Sequence, residues 1–166
     1  MGLFNKLFGK KEFFAEAGVL YLPIEGEVIP LAEIGDGVFS AEIMGKGCGI
    51  RPADETVFAP SNGTVTLTAD TKHAVGIQSD DGAELLIHVG IDTVDMRGDG
   101  FDMLVKAGQR VRRGQPLMRF NMHKIEAAGH PNVAAFLVTN TDDFSNVTVL
   151  TMGNARKLTA VIKTER

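Results

Sequence analysis

Short stretches of alternating apolar and polar residues, separated by Gly, Pro, Asp and Asn, run along most of the chain. Alternation of this kind is typical of strands that bury one face. The predicted strands are 27–30, 48–52, 56–59, 63–69, 74–79, 83–89, 110–111, 116–120, 133–138, 147–150 and 157–163. So many short strands predict an all-β fold, an antiparallel β-sandwich or distorted barrel with a few short helices.

Two other segments have helical spacing. Residues 100–106 place Phe101, Leu104 and Val105 on one face, and residues 121–128 could form two turns. We expect both helices to cover the sheets.

The first sixteen residues differ from the rest. Apolar side chains at positions 3, 4, 7 and 8 share one helical stripe, with lysines on the other side. Residues 1–16 are therefore predicted to be a flexible or amphipathic segment, and residues 17–166 the β-sandwich domain. Weak contact of residues 2–11 with an anionic membrane surface and a tail that packs nowhere remain alternatives.

Composition narrows the function classes. The 166 residues are 44% hydrophobic and 23% charged, as in a globular protein. A net charge of -4 argues against a nucleic-acid partner, whose phosphates need a basic surface. Cys48 is the single cysteine, so no internal disulfide can form, and the N-terminus lacks a signal-peptide pattern. A cytoplasmic location is expected.

A predicted hairpin carries two histidines. If Asp80 and Asp81 form a two-residue loop, His73 and His88 stand directly opposite each other, with Cβ atoms about 4.5 to 5.5 Å apart. A loop centred on Asp81 and Gly82 would shift the pairing by two and leave the histidines diagonal, and a one-residue bulge would alter the register again. Both arrangements allow a shared site.

Two imidazoles on one face can bind a metal, act as general acid and base, or transfer a phosphoryl group through nitrogen. The hydroxyl of Thr71 precedes His73, and Gly90 after His88 lets another surface approach. Phosphoryl transfer depends on positioning and charge stabilisation, which such a cluster could supply. The protonation state of His73 stays open at this point.

The segment ELLIHVGIDTVDMRGDGF, residues 84–101, resembles the phosphohistidine signature of the glucose-family enzyme IIA proteins. These are phosphocarriers of the bacterial phosphoenolpyruvate-dependent sugar phosphotransferase system. TKHAVGI, residues 71–77, is similar to the family segment that carries a second histidine. The likeness continues in residues 36–52, 57–65 and 108–117.

This resemblance implies a phosphotransferase component with an antiparallel β-sandwich fold and no required cofactor. His88 would accept phosphate from the histidine phosphocarrier protein and pass it to a cysteine of enzyme IIB. His73 would stabilise the phosphate, with Thr71 hydrogen-bonded to His73. The resemblance names no sugar, since enzyme IIA does not bind it.

The resemblance also implies an apolar docking face around the histidines with acidic residues on its rim. The apolar members would be Val38, Phe39, Met44, Val75, Leu86 and Val89, and the acidic ones Asp36 and Asp92.

Two further functions are compatible with the same face. His73 and His88 could hold zinc together with a carboxylate of another protein, because two ligands leave a tetrahedral set incomplete. The unphosphorylated protein could also bind and regulate metabolic or transport proteins, and release them when phosphate adds charge. A zinc peptidase of the lysostaphin type is disfavoured, because the sequence lacks its Asp and His-x-His ligands.

Overall fold

The computed structural model describes residues 16–166. The amphipathic stripe predicted for residues 2–11, and with it the membrane contact, lies outside the described residues. No helix in the described range combines the length and apolarity needed to cross a bilayer.

Residues 16–166 contain fourteen strands, one α-helix and three short 3₁₀ helices, joined by turns and loops. The strands are β1 Val19–Tyr21, β2 Gly26–Pro30, β3 Lys46–Pro52, β4 Thr56–Phe58, β5 Gly63–Thr68, β6 Ala74–Ser79, β7 Glu84–Val89, β8 Phe101–Met103, β9 Arg110–Val111, β10 Pro116–Phe120, β11 Ala134–Val138, β12 Asn146–Val149, β13 Gly153–Ala155 and β14 Ala160–Glu165. Helix α1 spans Met122–Ala127, and the 3₁₀ helices span Leu31–Ile34, Thr93–Met96 and Thr141–Asp143.

The strands form antiparallel sheets. The largest has eight strands in the order β13-β2-β3-β11-β7-β6-β5-β9, and two three-stranded sheets have the orders β1-β14-β12 and β4-β10-β8. The predicted antiparallel β-fold with few helices is confirmed, and the sheets are open rather than closed into a barrel.

The eight-stranded sheet has two differently packed faces, because side chains alternate along each strand. In its centre, Ile87 and Phe136 are opposite each other and point into the main core, where both are fully buried. On the other face, Ala135 and Leu137 form a smaller cluster with Leu31. His88 lies on this second face, directly opposite Ala135.

The strand and helix predictions mostly agree with the structure. Helix α1 lies within the predicted residues 121–128, and the side chain of Asn121 caps it by accepting a hydrogen bond from the Lys124 N–H. The helix predicted for residues 100–106 is wrong, because Phe101–Met103 pairs with β10 as strand β8. Strands β1 and β13 were not predicted, since each has three residues and gives almost no alternation to detect.

Candidate functional site

The hairpin that joins β6 to β7 fixes the position of His88. The Ser79 N–H donates to the Ala83 carbonyl at 2.8 Å, so residues 80–82 form a three-residue turn. Gly82 adopts the left-handed conformation, with φ 92°, that such a turn requires. The predicted two-residue loop is therefore wrong, because Gly82 belongs to the turn.

This turn places Ala74, and not His73, opposite His88. His73 precedes β6 and follows Lys72, whose backbone is left-handed at φ 63°. The carbonyl of His73 still accepts a hydrogen bond from the Val89 N–H at 2.8 Å. The two histidines are thus offset by one residue along the paired strands. The turn before β6 brings the side chain of His73 to the face of His88.

The imidazole rings of His73 and His88 are in contact. Their centroids are 4.7 Å apart and their planes are nearly perpendicular, at 81°. The shared site predicted from the sequence is present, although the register that suggested it was off by one residue.

His73 is a buried histidine with one hydrogen-bonded nitrogen. Its Nδ1 lies 2.7 Å from the Thr71 hydroxyl oxygen, so the predicted contact between these residues is present. Its Nε2 remains accessible to solvent. Burial lowers the pKa of His73 from the ordinary value of 6.5, which favours a neutral ring at neutral pH.

His88 has one covered edge and one open edge. Phe39 packs against it with ring centroids 4.9 Å apart, and Nδ1 is buried without a hydrogen bond of acceptable geometry among the described residues. Nε2 is the accessible nitrogen of the ring. An electrophile arriving from solvent would therefore meet Nε2.

The surroundings of His88 keep it neutral. Burial, and next the nearby His73, lower the pKa of His88 to about 4. The Gly90 backbone and the charge of Asp36 act in the opposite direction without reversing the shift. At neutral pH the ring is therefore uncharged, and in the tautomer with its proton on Nδ1 the lone pair of Nε2 can act as a nucleophile.

The chain turns sharply after His88. The buried Thr93 hydroxyl donates to the Val89 carbonyl at 2.6 Å. Gly90 has φ 81°, and a Cβ at this position would collide with the Thr93 methyl group. The close approach expected at Gly90 is thus made by Thr93 of the same chain, a residue that sequence reasoning missed because a lone buried threonine leaves no pattern.

The two predicted rim carboxylates have different surroundings. Asp36 accepts hydrogen bonds from the backbone N–H groups of Val38, Phe39 and Ser40 at 3.0 to 3.1 Å. Burial would raise the pKa of Asp36, but these hydrogen bonds outweigh it, and the pKa is lowered. Asp92 is exposed, and its carboxylate has no hydrogen bond to another part of residues 16–166.

The predicted docking face is partly wrong. Val38 and Met44 are exposed, at 43% and 41%, while Leu86 is half-buried beside the small cluster that includes Phe39. Val75 and Val89 are fully buried in the main core. They cannot contribute to an exposed patch, because side chains alternate and both point away from the face of His88.

Sequence reasoning missed three exposed apolar residues near this face. Ile43 is 72% exposed in the loop that carries Val38, and Val94 is 50% exposed in the 3₁₀ helix after His88. Leu67 is also 50% exposed, because a bulge in β5 turns it to the outer face, against Gly76. Ile43 could have been predicted to be exposed, because it lies in a short apolar loop bounded by glycines.

The site lacks a complete set of metal ligands. No group of three or more His, Cys, Asp or Glu side chains suited to a metal occurs in the described part of the chain. The site offers two ligand atoms, the accessible Nε2 atoms of His73 and His88.

The lowered pKa of His88 makes stability depend on pH. Between pH 6.5 and about 4 the unfolded chain binds more protons than the folded one, so the contribution is complete above pH 6.5 and is lost as pH falls toward 4. Wild type should therefore lose free energy of unfolding between about pH 7 and 4.5, and we expect His88→Gln to lose about 2 kcal/mol less. This figure is smaller than the full pKa shift implies, because solvent screens the open edge of the ring. Urea unfolding at both pH values measures this, and an unchanged pH dependence would contradict it. The exposed His123, replaced by Gln, is the control.

Comparisons with known proteins identify the family of this chain. The sequence model of the family described as phosphoenolpyruvate-dependent sugar phosphotransferase system, EIIA 1, matches residues 18–144. The glucose-specific EIIA component of Staphylococcus aureus (strain COL) is 39% identical over 147 residues, which cover 89% of each chain. The β-glucoside-specific EIIBCA component of Bacillus subtilis (strain 168) is 44% identical over 87% of this chain but only 24% of its own length.

A solved structure has the same fold. The glucose permease IIA from Mycoplasma capricolum superposes with a TM-score of 0.77 at 29% identity, covering 87% of this chain and 93% of that one. The family match includes both strands of the histidine hairpin and the loop that carries Phe39. The chain therefore belongs to the glucose-family enzyme IIA components of the phosphoenolpyruvate-dependent sugar phosphotransferase system.

Proposed function

We propose that the chain carries a phosphoryl group on Nε2 of His88, taken from the histidine phosphocarrier protein and passed to a cysteine of an enzyme IIB. The observation that carries the proposal is the contact between the buried His73 and the half-buried His88, whose Nε2 atoms both remain accessible. The pKa of about 4 keeps the His88 ring uncharged at neutral pH, as a nucleophile requires.

In the first transfer, the lone pair of His88 Nε2 forms a bond to phosphorus while the P–N bond of the donor phosphohistidine breaks. The bonding electrons return to the donor imidazole. In the second transfer the bond from His88 to phosphorus breaks, and the IIB thiolate supplies the new electron pair. Neither step needs a redox reaction or a metal, so positioning and charge stabilisation are the contributions asked of this chain.

His73 supplies the stabilising hydrogen bond. With the Thr71 hydroxyl donating to Nδ1, the remaining proton of a neutral His73 resides on Nε2, from which it can be donated to a phosphoryl oxygen. The phosphate charge also favours protonation of His73, by about 4 kcal/mol per unit charge pair at 4 Å and an effective dielectric of 20. His73 can thus become a stronger donor as the phosphate arrives.

EIIA domains of this system work with an EIIB domain, and the B. subtilis relative is named as one EIIBCA component. The exposed side chains of Val38, Ile43 and Met44 lie in the loop whose Phe39 contacts His88, and they suit an apolar partner surface. We assign this surface to contact with both the phosphate donor and the IIB acceptor. The acidic rim would attract basic residues of the partner and raise the association rate.

Zinc remains a secondary proposal for the same surface. The accessible Nε2 atoms of His73 and His88 fit two positions of a tetrahedral site, and a bound partner would supply the others. The ion would join the two proteins and has no part in the transfer steps above.

Phosphorylation by phosphoenolpyruvate, enzyme I and the histidine phosphocarrier protein tests the main proposal. We expect acid-labile label on the wild type and none on His88→Ala. His73→Ala should accept label but pass it to IIB at least about tenfold more slowly, since one donor to the phosphate is lost. His123→Ala, on the exposed face of α1, is the matched histidine control. An unlabelled wild type with active donors would refute the proposal.

Thr71 tests the tautomer argument. Thr71→Val removes the hydroxyl beside His73 and should slow transfer to IIB by about fivefold to tenfold, the effect of one lost hydrogen bond of about 1 kcal/mol. Thr71→Ser, which keeps the hydroxyl, should restore most of the rate in the same assay. Equal rates for the Val and Ser variants would contradict the role of the hydroxyl.

Regulatory binding is a second function for this surface. The exposed Ile43 and Met44 share a loop with Phe39, which contacts the residue that would gain about two negative charges on phosphorylation, enough to disfavour an apolar partner. We expect a regulated transport or metabolic protein to bind the wild type more tightly than His88→Asp in affinity measurements. Equal binding of the two by every partner found would exclude charge-controlled regulation.

A further inference from the structure

One carboxylate organises the loop between the first 3₁₀ helix and β3. Oδ1 of Asp36 accepts the N–H groups of Val38 at 3.1 Å and Ser40 at 3.0 Å, and Oδ2 accepts that of Phe39 at 3.1 Å. The Ser40 hydroxyl in turn accepts the Gly37 N–H at 3.0 Å. Both oxygens of Asp36 are thus engaged with the backbone of their own loop.

The residue at the centre of this turn is the one that touches His88. Phe39 is 7% exposed and packs in the small cluster with Leu31 and Leu137 on the outer face of the sheet. Its ring centroid lies 4.9 Å from that of His88, at an interplanar angle of 56°. The carboxylate of Asp36 therefore reaches the reactive ring through one intervening side chain.

Ring packing is an important restraint on His88. Its buried Nδ1 meets no acceptor at good hydrogen-bond geometry within residues 16–166, and the Gly90 backbone, which raises the pKa of the ring, offers a weaker contact. The rotation of the ring, and with it the direction of Nε2, therefore depends on the flanking rings of Phe39 and His73 as well as on the Gly90 backbone.

We propose that Asp36 is a positioning residue for phosphoryl transfer, because its carboxylate folds the loop that holds Phe39 against His88 and so directs Nε2 outward. This inference rests on the proposed function of His88. It assigns Asp36 a role inside the chain, which differs from the contact with a partner's basic residue expected of a rim carboxylate. Asp92, exposed and free of such hydrogen bonds in the described range, suits the rim role.

The two roles of Asp36 respond differently to substitution. Asn lacks the charge but keeps an Oδ1 that can accept the Val38 and Ser40 N–H groups, and Asn caps turns about as well as Asp. Ala removes both the charge and the acceptor. A positioning role therefore predicts that Asn preserves much of what Ala loses, while a contact through charge predicts that both fail alike.

The first measurement follows the ring protons of His88 by NMR in the unphosphorylated protein. We expect Asp36→Ala to shift these signals toward those of Phe39→Leu, which lacks the aromatic ring current, and Asp36→Asn to stay close to the wild type. A lower melting temperature of Asp36→Ala with unchanged His88 signals in the folded protein would show a merely structural role and overturn the proposal.

The second measurement uses phosphorylated histidine phosphocarrier protein as donor. We expect Asp36→Ala to lower kcat at least about fivefold with little change in KM, and Asp36→Asn to lower it less than about threefold, as for loss and retention of a cap. The matched pair Asp92→Asn and Asp92→Ala should resemble each other and act on KM. Equal rises in KM for Asp36→Asn and Asp36→Ala, without a loss of kcat, would assign Asp36 to docking and refute the proposal.

The two measurements separate this inference from the function on which it rests. If the wild type accepted no phosphate, the proposed function would fail, and with it any role of Asp36 in transfer. The His88 signals would still decide whether Asp36 controls the ring.

Discussion

The alternation of side chains along β7 is the constraint on which the site depends. Leu85, Ile87 and Val89 are buried in the main core, so the residues between them must point to the other face of the sheet. A slip of one residue would bury His88 and expose three apolar side chains, at a cost of several kcal/mol. The hydrophobic effect on one face thus holds the reactive imidazole in place on the other.

Burial also sets the chemistry of that imidazole. Phe39 and His73 cover His88 on two sides, and the resulting desolvation keeps the ring neutral and nucleophilic. The same covering would hinder docking if it were complete, but Nε2 remains open. An accessible nitrogen on a partly apolar surface suits the proposed exchange between two partners, because each can reach it from solvent.

Much of the architecture could be predicted from alternation and glycine spacing, including most strands and the meeting of two histidines. The details that failed depend on backbone conformations that a pattern does not encode. The left-handed Gly82 lengthened the turn, and the kink before His73 brought it to the outer face. The segment starting at Phe101 was mistaken for a helix because pairing with a distant strand overrides local spacing. The hydrogen bonds of Asp36 could not be predicted either, because they depend on the backbone conformation of its loop.

The bulge in β5 has a consequence for how this protein could diverge. If Thr66 paired regularly with Gly76, strict alternation would direct Leu67 into the core beside Val65. The bulge instead leaves Leu67 half exposed on the histidine face, while the neighbouring Val65 stays buried. Because the bulge takes up one extra residue, an insertion or deletion at this point can change the exposed side chains without redesigning the core. Such a change would alter the shape offered to partners there and leave the proposed phosphate-carrying residues unchanged.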